Sequence, residues 1–370
     1  MKLGDICDIN MGQSPSSETY NTNNSGIPFF QGNADFGERS PIVRIYCSKP
    51  TKIAKKGDIL FSVRAPIGAI NIADCECCIG RGLSALTPKK STTEYLFFLL
   101  KAKNKILQTL GTGSTFKAIN KNTLLSLPIS SHSINEQRII SNKLSLIENA
   151  IRIRKRQLVK LNQLAKSRFL EMFGDPILNP MGWAISHYGD EFEIMSGGTP
   201  KTDIPEYWVN GKISWIGSNL CQNSVLIEND GKFITEKGLN NSSAKIFNKG
   251  YILIALVGAT IGKVAHLKFS TSTNQNIAGI NVPQNENYIP EFVFYNTQFL
   301  YPKFMDIGNS KFKMANLSFI RSLQIPIVPI KAQKKFSNFV EQLDKSKFRI
   351  KKSLEKLEMT YKALLQEYFG

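Results

Sequence analysis

A long tandem duplication constrains this chain more than any other feature, because a repeat of domain size dictates two copies of one architecture. Gly4-Asp5-Ile6-Cys7-Asp8-Ile9, followed by Gly12-Gln13-Ser14-Pro15, is answered by Gly189-Asp190-Glu191-Phe192-Glu193-Ile194 and Gly197-Gly198-Thr199-Pro200. Lys56-Gly57-Asp58-Ile59-Leu60 with Ile67-Gly68 is answered by Lys249-Gly250-Tyr251-Ile252-Leu253 with Ile261-Gly262. Ser114-Thr115-Phe116-Lys117 matches Ser310-Lys311-Phe312-Lys313, Leu127-Pro128-Ile129 matches Ile325-Pro326-Ile327, and Glu171-Met172-Phe173-Gly174 matches Glu367-Tyr368-Phe369-Gly370. The offset drifts from 185 to 196, so the second copy carries insertions.

Each copy has two parts. The first, residues 1–133 and 175–330, is rich in Gly, Pro, Asn and Ser, with short apolar runs such as Asp58 to Val63 and Tyr251 to Val257 between turn signals. That pattern predicts a mainly β head with a few helices, one of them around Thr93 to Lys103. The second part, 134–174 and 331–370, predicts a long helix, with a linker at 174–184. Ser133 is placed as an N-cap with Glu136 as its capping-box partner, and nothing breaks the pattern before Gly174-Asp175-Pro176.

The period of the helices indicates what they pack against. Ile140, Leu144, Ile147, Ile151, Leu158 and Leu161 follow 4-3 spacing, and Phe336, Val340, Leu343, Ile350, Leu354 and Leu357 repeat it. Arg154, Arg168 and Lys347 interrupt the two stripes. Two such seams imply a coiled coil. Each helix should span roughly 57 Å at about 1.5 Å per residue, and a whole head lies between them. An antiparallel pair with pseudo-twofold symmetry fits best. The expected fold is therefore α+β: two tandem mainly β heads, each followed by a long helix.

The composition narrows the function. Lys and Arg number 47 against 29 Asp and Glu, a net charge of +18, which favours a polyanionic partner such as nucleic acid or an anionic membrane surface. No stretch is apolar enough to span a bilayer and the N-terminus lacks a signal peptide's apolar run, so a cytoplasmic protein with reduced cysteines is expected. Cys75, Cys77 and Cys78 crowd around Glu76 without a second pair of ligands, so they are assigned to strand interiors rather than to a metal. His132, His187 and His266 stand in no nucleophile frame, and His132 suits a capping role at the head-to-helix junction. Gly258-Ala259-Thr260-Ile261-Gly262-Lys263-Val264 is one residue short of a phosphate loop and has Val where Ser or Thr must hold Mg²⁺, so it is read as a strand turn. Asn179-Pro180-Met181-Gly182 lacks the second Pro and the aromatic of an amino-methyltransferase loop and is assigned to the linker.

The duplicated plan, the segment Met172-Phe173-Gly174-Asp175-Pro176-Ile177-Leu178-Asn179-Pro180-Met181-Gly182-Trp183 and the run Asn274-Gln275-Asn276-Ile277-Ala278-Gly279-Ile280 resemble the specificity subunit of type I restriction-modification enzymes, over essentially the full chain. The resemblance implies that each head is a target recognition domain reading one half of a bipartite double-stranded DNA sequence. The helices would act as a ruler and as the docking surface for two methyltransferase subunits, joined by restriction (motor-nuclease) subunits. The chain itself would be noncatalytic and hold no cofactor; S-adenosylmethionine, ATP and Mg²⁺ would belong to the partners. The first copy departs at Cys78-Ile79-Gly80-Arg81-Gly82, where Gly and Arg replace the Gln and Asn of the second, which bears on the target sequence.

Base edges are read by Arg, Lys, Asn, Gln and Ser on loops, and phosphates are held by Lys and Arg. The candidates in the first copy are Gln31, Asn33, Arg64, Arg81, Ser114, Thr115 and Lys117. In the second they are Trp215, Ser218, Asn219, Lys263, Gln275, Asn276, Lys311 and Lys313. Phe116 and Phe312 are assigned to the core. Two other readings compete: an autonomous nuclease or methyltransferase, for which no acidic metal cluster or cofactor motif is found, and a stand-alone bipartite DNA-binding architectural or regulatory protein.

Overall fold

The computed structural model describes residues 1–112, 117–283, 287–307 and 314–370. Phe116 and Phe312 lie outside them. The chain forms two compact units, Met1–Arg156 with Lys351–Gly370, and Gln157–Ile350. This division cuts both long helices, Ile134–Phe173 and Ile330–Phe369, instead of separating heads from helices.

In the first unit a four-stranded antiparallel sheet runs in the order Cys7–Met11, Leu83–Pro88, Ile59–Ser62 and Ile70–Ile72. Successive strand residues point to opposite faces. Ile59 and Phe61 therefore enter one core with the helix Thr93–Ala102, while Leu60 enters another with Phe30, Cys77 and Ile79 of a second, five-stranded sheet. That is why Ile59-Leu60-Phe61 reads as an unbroken apolar run: both faces of the strand are covered. The second unit repeats the arrangement. Ile252 and Ile254 face the helices, and Leu253 and Ala255 face Ile216 and Phe247 of the smaller sheet.

Within the first unit the helical segments run antiparallel. Lys143 Nζ donates to Tyr368 Oη at 3.1 Å, the Tyr361 hydroxyl to Glu148 at 3.3 Å, and Lys155 pairs with Glu358 at 2.8 Å, so residue numbers rise on one helix as they fall on the other. Burial, and then Glu148, raise the Tyr361 hydroxyl's pKa and keep it a donor. Ile140, Leu144, Leu364 and Phe369 are buried in the same core as the head, with Ile147 packed at its edge. In the second unit Phe336 meets Phe169 and Phe173 edge-on, and Val340 and Leu343 join the core, with Leu161 packed against it. Ile151, Leu158, Ile350, Leu354 and Leu357 are half-buried. The seam next to each head thus serves the head's core as well as helix pairing.

The start of each helix is tied to its head by one buried glutamine. Gln137 Nε2 donates to the carbonyls of Lys90 and His132, and its Oε1 accepts from the N–H of Thr92. Gln333 Nε2 donates to the carbonyls of Asn287 and Val328, and its Oε1 accepts from Ile289 N–H. Thr92 and Ile289 are the N-cap residues of the head helices Thr93–Ala102 and Pro290–Phe299. Beside Gln137, Ser133 and Glu136 form the reciprocal capping box expected from their spacing. His132 Nδ1 lies 2.7 Å from the Tyr95 hydroxyl, a structural place at the junction.

The linker is equally determined. Gly174, in the left-handed region at φ 76°, ends the central helix, and Trp183 Nε1 donates to the Phe173 carbonyl. Asn179 closes the turn by exchanging two hydrogen bonds with the Trp183 backbone. Cys77 and Cys78 sit in the strand Cys77–Ile79, where burial pushes the Cys77 thiol up to about 12, whereas Cys75, also expected inside a strand, lies half-buried in the bend before it.

All three tryptophans, Trp183, Trp208 and Trp215, fall in the second unit, so tryptophan fluorescence reports its unfolding alone. Gln333→Ala leaves buried backbone groups without partners and should destabilise that unit by about 2–4 kcal/mol. Urea unfolding followed at the indole emission checks this; an unchanged midpoint would show that the glutamine is not a structural tie.

Candidate nucleic-acid interface

Parallel pairing between strands far apart in sequence creates the site. In the first unit Ile27–Phe30 runs parallel to Cys77–Ile79, with Phe29 opposite Cys78 and Phe30 opposite Ile79. The segments that follow, Gln31-Gly32-Asn33 and Gly80-Arg81-Gly82, therefore leave the sheet at the same end. Backbone hydrogen bonds weld them together: Gly80 N–H donates to Phe30 O at 2.9 Å and Gly82 N–H to Gln31 O at 3.1 Å. The turn Gly12–Pro15 joins through Gln13 N–H to Ile79 O at 3.0 Å. A Cβ on Gly12 would stand 2.2 Å from the Gly80 carbonyl oxygen, so only glycine allows this approach.

Three side chains meet over these loops. The Ser14 hydroxyl donates to Gln31 Oε1 at 3.0 Å and accepts from Arg81 N at 3.2 Å and Arg81 Nε at 3.4 Å. Arg81 and Gln31 are exposed, and Asn33 opens a short 3-10 turn beside them. Gly82 O accepts from Val63 N–H at 3.0 Å, which brings exposed Arg64 alongside; Arg64 bridges to Ala118, next to exposed Lys117. Asp35 lies behind the turn, its carboxyl raised by burial against the lowering influence of Arg44 and of the Gln31 N–H.

The second unit builds the same cluster from different side chains. Ile213–Ile216 runs parallel to Thr271–Thr273, so Gly217-Ser218-Asn219 and Asn274-Gln275-Asn276 emerge together. Asn274 N–H donates to Ile216 O at 3.2 Å, Gly198 N–H to Thr273 O at 2.8 Å, and Leu256 N–H to Asn276 O at 2.8 Å. Thr199 takes the place of Ser14, its hydroxyl donating to Gln275 Oε1 at 2.6 Å. Lys263 Nζ donates to Gln222 Oε1 at 3.0 Å, and Gln222 Nε2 in turn to the Asn219 carbonyl at 3.0 Å. Gly258–Thr260 forms a short 3-10 turn between strands, as its sequence suggests.

Of the sequence candidates, Gln31, Asn33, Arg64, Arg81 and Lys117 are linked in one cluster, and Ser218, Asn219, Lys263, Gln275 and Asn276 in the other. Trp215 departs from expectation. It is 8% exposed, and its indole N–H is consumed by the Gly198 carbonyl at 3.1 Å, so it braces the Gly197–Pro200 turn. Ser114, Thr115, Lys311 and Lys313 lie outside the described residues. Sequence reasoning missed Ser14, Thr199 and Gln222, which hydrogen-bond the candidate side chains Gln31, Arg81, Gln275 and Lys263. The repeat itself held the signal for the first two, since Ser14-Pro15 aligns with Thr199-Pro200.

Comparison with known proteins identifies the family and the fold. The family model described as the type I restriction modification DNA specificity domain matches residues 1–163 and 180–359. A protein of Methanocaldococcus jannaschii named as the MjaIX specificity subunit of a type I restriction enzyme is 25% identical over 98% of this chain and 90% of its own length. The same organism's MjaX specificity subunit is 39% identical over 43% of this chain, a match spanning 38% of that relative. The crystal structure of a type I restriction-modification S subunit from M. genitalium has the same fold, with a TM-score of 0.64 at 19% identity, over 100% of this chain and 95% of that one.

Two substitutions test the clusters separately. Arg81→Ala and Gln275→Ala should each cost about 1–3 kcal/mol of discrimination at one base pair, in different halves of the bound sequence. Lys117→Ala should weaken binding to all sequences and flatten log K against log salt by about 0.9. Competition binding on a randomised duplex library, repeated over a salt series, reads both; loss of discrimination in the same half for both variants would refute the assignment.

Proposed function

The chain belongs to the type I restriction modification DNA specificity family, and on that footing we propose that it reads a bipartite DNA target, one half with each head. The observation that carries this reading is the repeated three-loop scaffold with its changed side chains. Ser14, Gln31 and Arg81 in one head stand where Thr199, Gly217 and Gln275 stand in the other. A common backbone with different readers is what two unlike half-sites require, because hydrogen bonds to base edges carry the sequence information.

The long helices hold the heads apart as a ruler and receive two methyltransferase subunits, which in turn assemble with the restriction subunits. The partners supply the chemistry and its S-adenosylmethionine, ATP and Mg²⁺; this chain supplies the address. The helix composition supports docking. Residues 134–174 carry nine Lys and Arg against three Glu, and 331–370 carry ten against five acidic residues. On the central helix Ile139, Leu146 and Ile153 recur every seventh residue and are 67%, 71% and 53% exposed, an apolar stripe at coiled-coil spacing outside the seam.

The test is a change of spacer without a change of half-site. Seven residues inserted after Lys160, and matched after Lys356, preserve the heptad phase and lengthen the pair by about 10 Å. Methylated adenines mapped by single-molecule sequencing should then show both half-sites intact and about three more base pairs between them at about 3.4 Å per step. An unchanged spacer would refute the ruler. Leu146→Glu should abolish copurification with methyltransferase subunits while leaving duplex binding intact; retained copurification would remove the docking role from this stripe.

A further inference from the structure

The second head contains an open cavity of about 630 Å³ next to its reading loops. Its walls include Trp208, Trp215 and Phe233, and its rim carries Thr199, Asn210 and Lys232. The two indoles meet edge-on, with centroids 5.2 Å apart and planes at 82°. Neither ring is free to turn. Trp208 Nε1 donates to the Lys201 carbonyl at 3.0 Å and Trp215 Nε1 to the Gly198 carbonyl at 3.1 Å. Phe233, 39% exposed, sits on the short strand that pairs with Ile213–Ser214, and the neighbouring Lys232 carbonyl accepts from Trp215 N–H at 3.0 Å. The two indoles are therefore held before any ligand arrives, which removes part of the ordering cost from binding.

Position and chemistry select the ligand. Thr199 belongs to both the cavity rim and the reading cluster, where its hydroxyl holds Gln275. The cavity thus opens beside the loops that, on the function proposed above, face the duplex. Fixed aromatic faces beside a lysine suit a base and its phosphate, since every base has a π-face to stack and a phosphate to neutralise. The need is greatest in this head. Residues 175–330 hold twelve Lys and Arg and twelve Asp and Glu, so net charge contributes nothing there, whereas residues 1–133 carry sixteen basic against nine acidic.

We propose that this cavity receives one nucleotide of the target displaced from the base stack, with its base against Phe233 and the indoles and its phosphate at Lys232. The proposal rests on the DNA-reading function above and adds a subsite to it. Displacing a base from a duplex costs a few kcal/mol, least for a mispaired one. A mispair at the right position should therefore tighten binding.

The experiment uses the full chain and a duplex carrying its mapped target. A single mispair is stepped through the half-site that Gln275→Ala assigns to the second head. At one position the mispair should strengthen binding about tenfold, as expected if it pre-empts roughly 1.4 kcal/mol of unpairing cost. Phe233→Ala and Lys232→Ala should each abolish that gain, and Phe233→Trp should keep it; both residues lie at the surface, so truncation spares the core. If every mispair weakens binding or leaves it unchanged while the matched duplex is still selected over random sequence, the subsite does not exist. If the matched duplex is not selected at all, the DNA-reading function itself falls, and the two failures are distinct.

Discussion

Everything in each half of this protein depends on where the head sits on its helix, and one buried glutamine fixes that. Gln137 and Gln333 are 196 residues apart, and each joins the first turn of a long helix to the N-cap of a head helix. The surrounding capping chemistry is not shared: Ser133 and Glu136 of the first copy are replaced by Pro329 and Ala332 in the second. Proline presets the backbone for a helix start, so the cap can change while the tie cannot. An apolar residue here would leave two carbonyls and an amide buried without partners.

That tie governs the clustered loops at one remove. In the first unit the four-stranded sheet is packed between the helices on one face and the five-stranded sheet on the other, and the parallel strands that launch the loops belong to the five-stranded sheet. The second unit follows the same order. The clustered loops are thus on the layer farthest from the helices, where loop residues can change without disturbing helix pairing. Ser14 and Thr199 illustrate the freedom: each is a hydroxyl on a glycine-braced turn, one holding an arginine and the other a glutamine.

Much of this was legible in the sequence and some was not, for definite reasons. Repeat, helix limits and seam are local or periodic properties, and Ser133 with Glu136 announces the central helix directly. The apolar runs at Ile59 and Ile252 gave strands, but only the structure shows them covered on both faces. The convergence of Gln31 with Arg81, or Asn219 with Gln275, depends on parallel pairing across about fifty intervening residues, which no spacing encodes. Trp215 was named among the loop candidates because it precedes Ser218 and Asn219 closely, but sequence gives no sign that its N–H goes to Gly198 and that its ring is held in a cavity wall. Gln137 and Gln333 were passed over because a polar residue in an amphipathic helix ordinarily faces water.

The composition of the first unit has a consequence for how the chain is made. Its core contains Leu3 and Ile6 from the start of the sequence and Leu364 and Phe369 from the far end. A ribosome delivers the first head long before it delivers the segment that closes that core, and the intervening second unit emerges meanwhile. Until then Tyr95, which meets Phe369 edge-on at 5.3 Å in the finished fold, has that side uncovered. The head synthesised first is completed last, so its apolar surface stays exposed through most of synthesis, the interval in which unfinished cores are prone to aggregate.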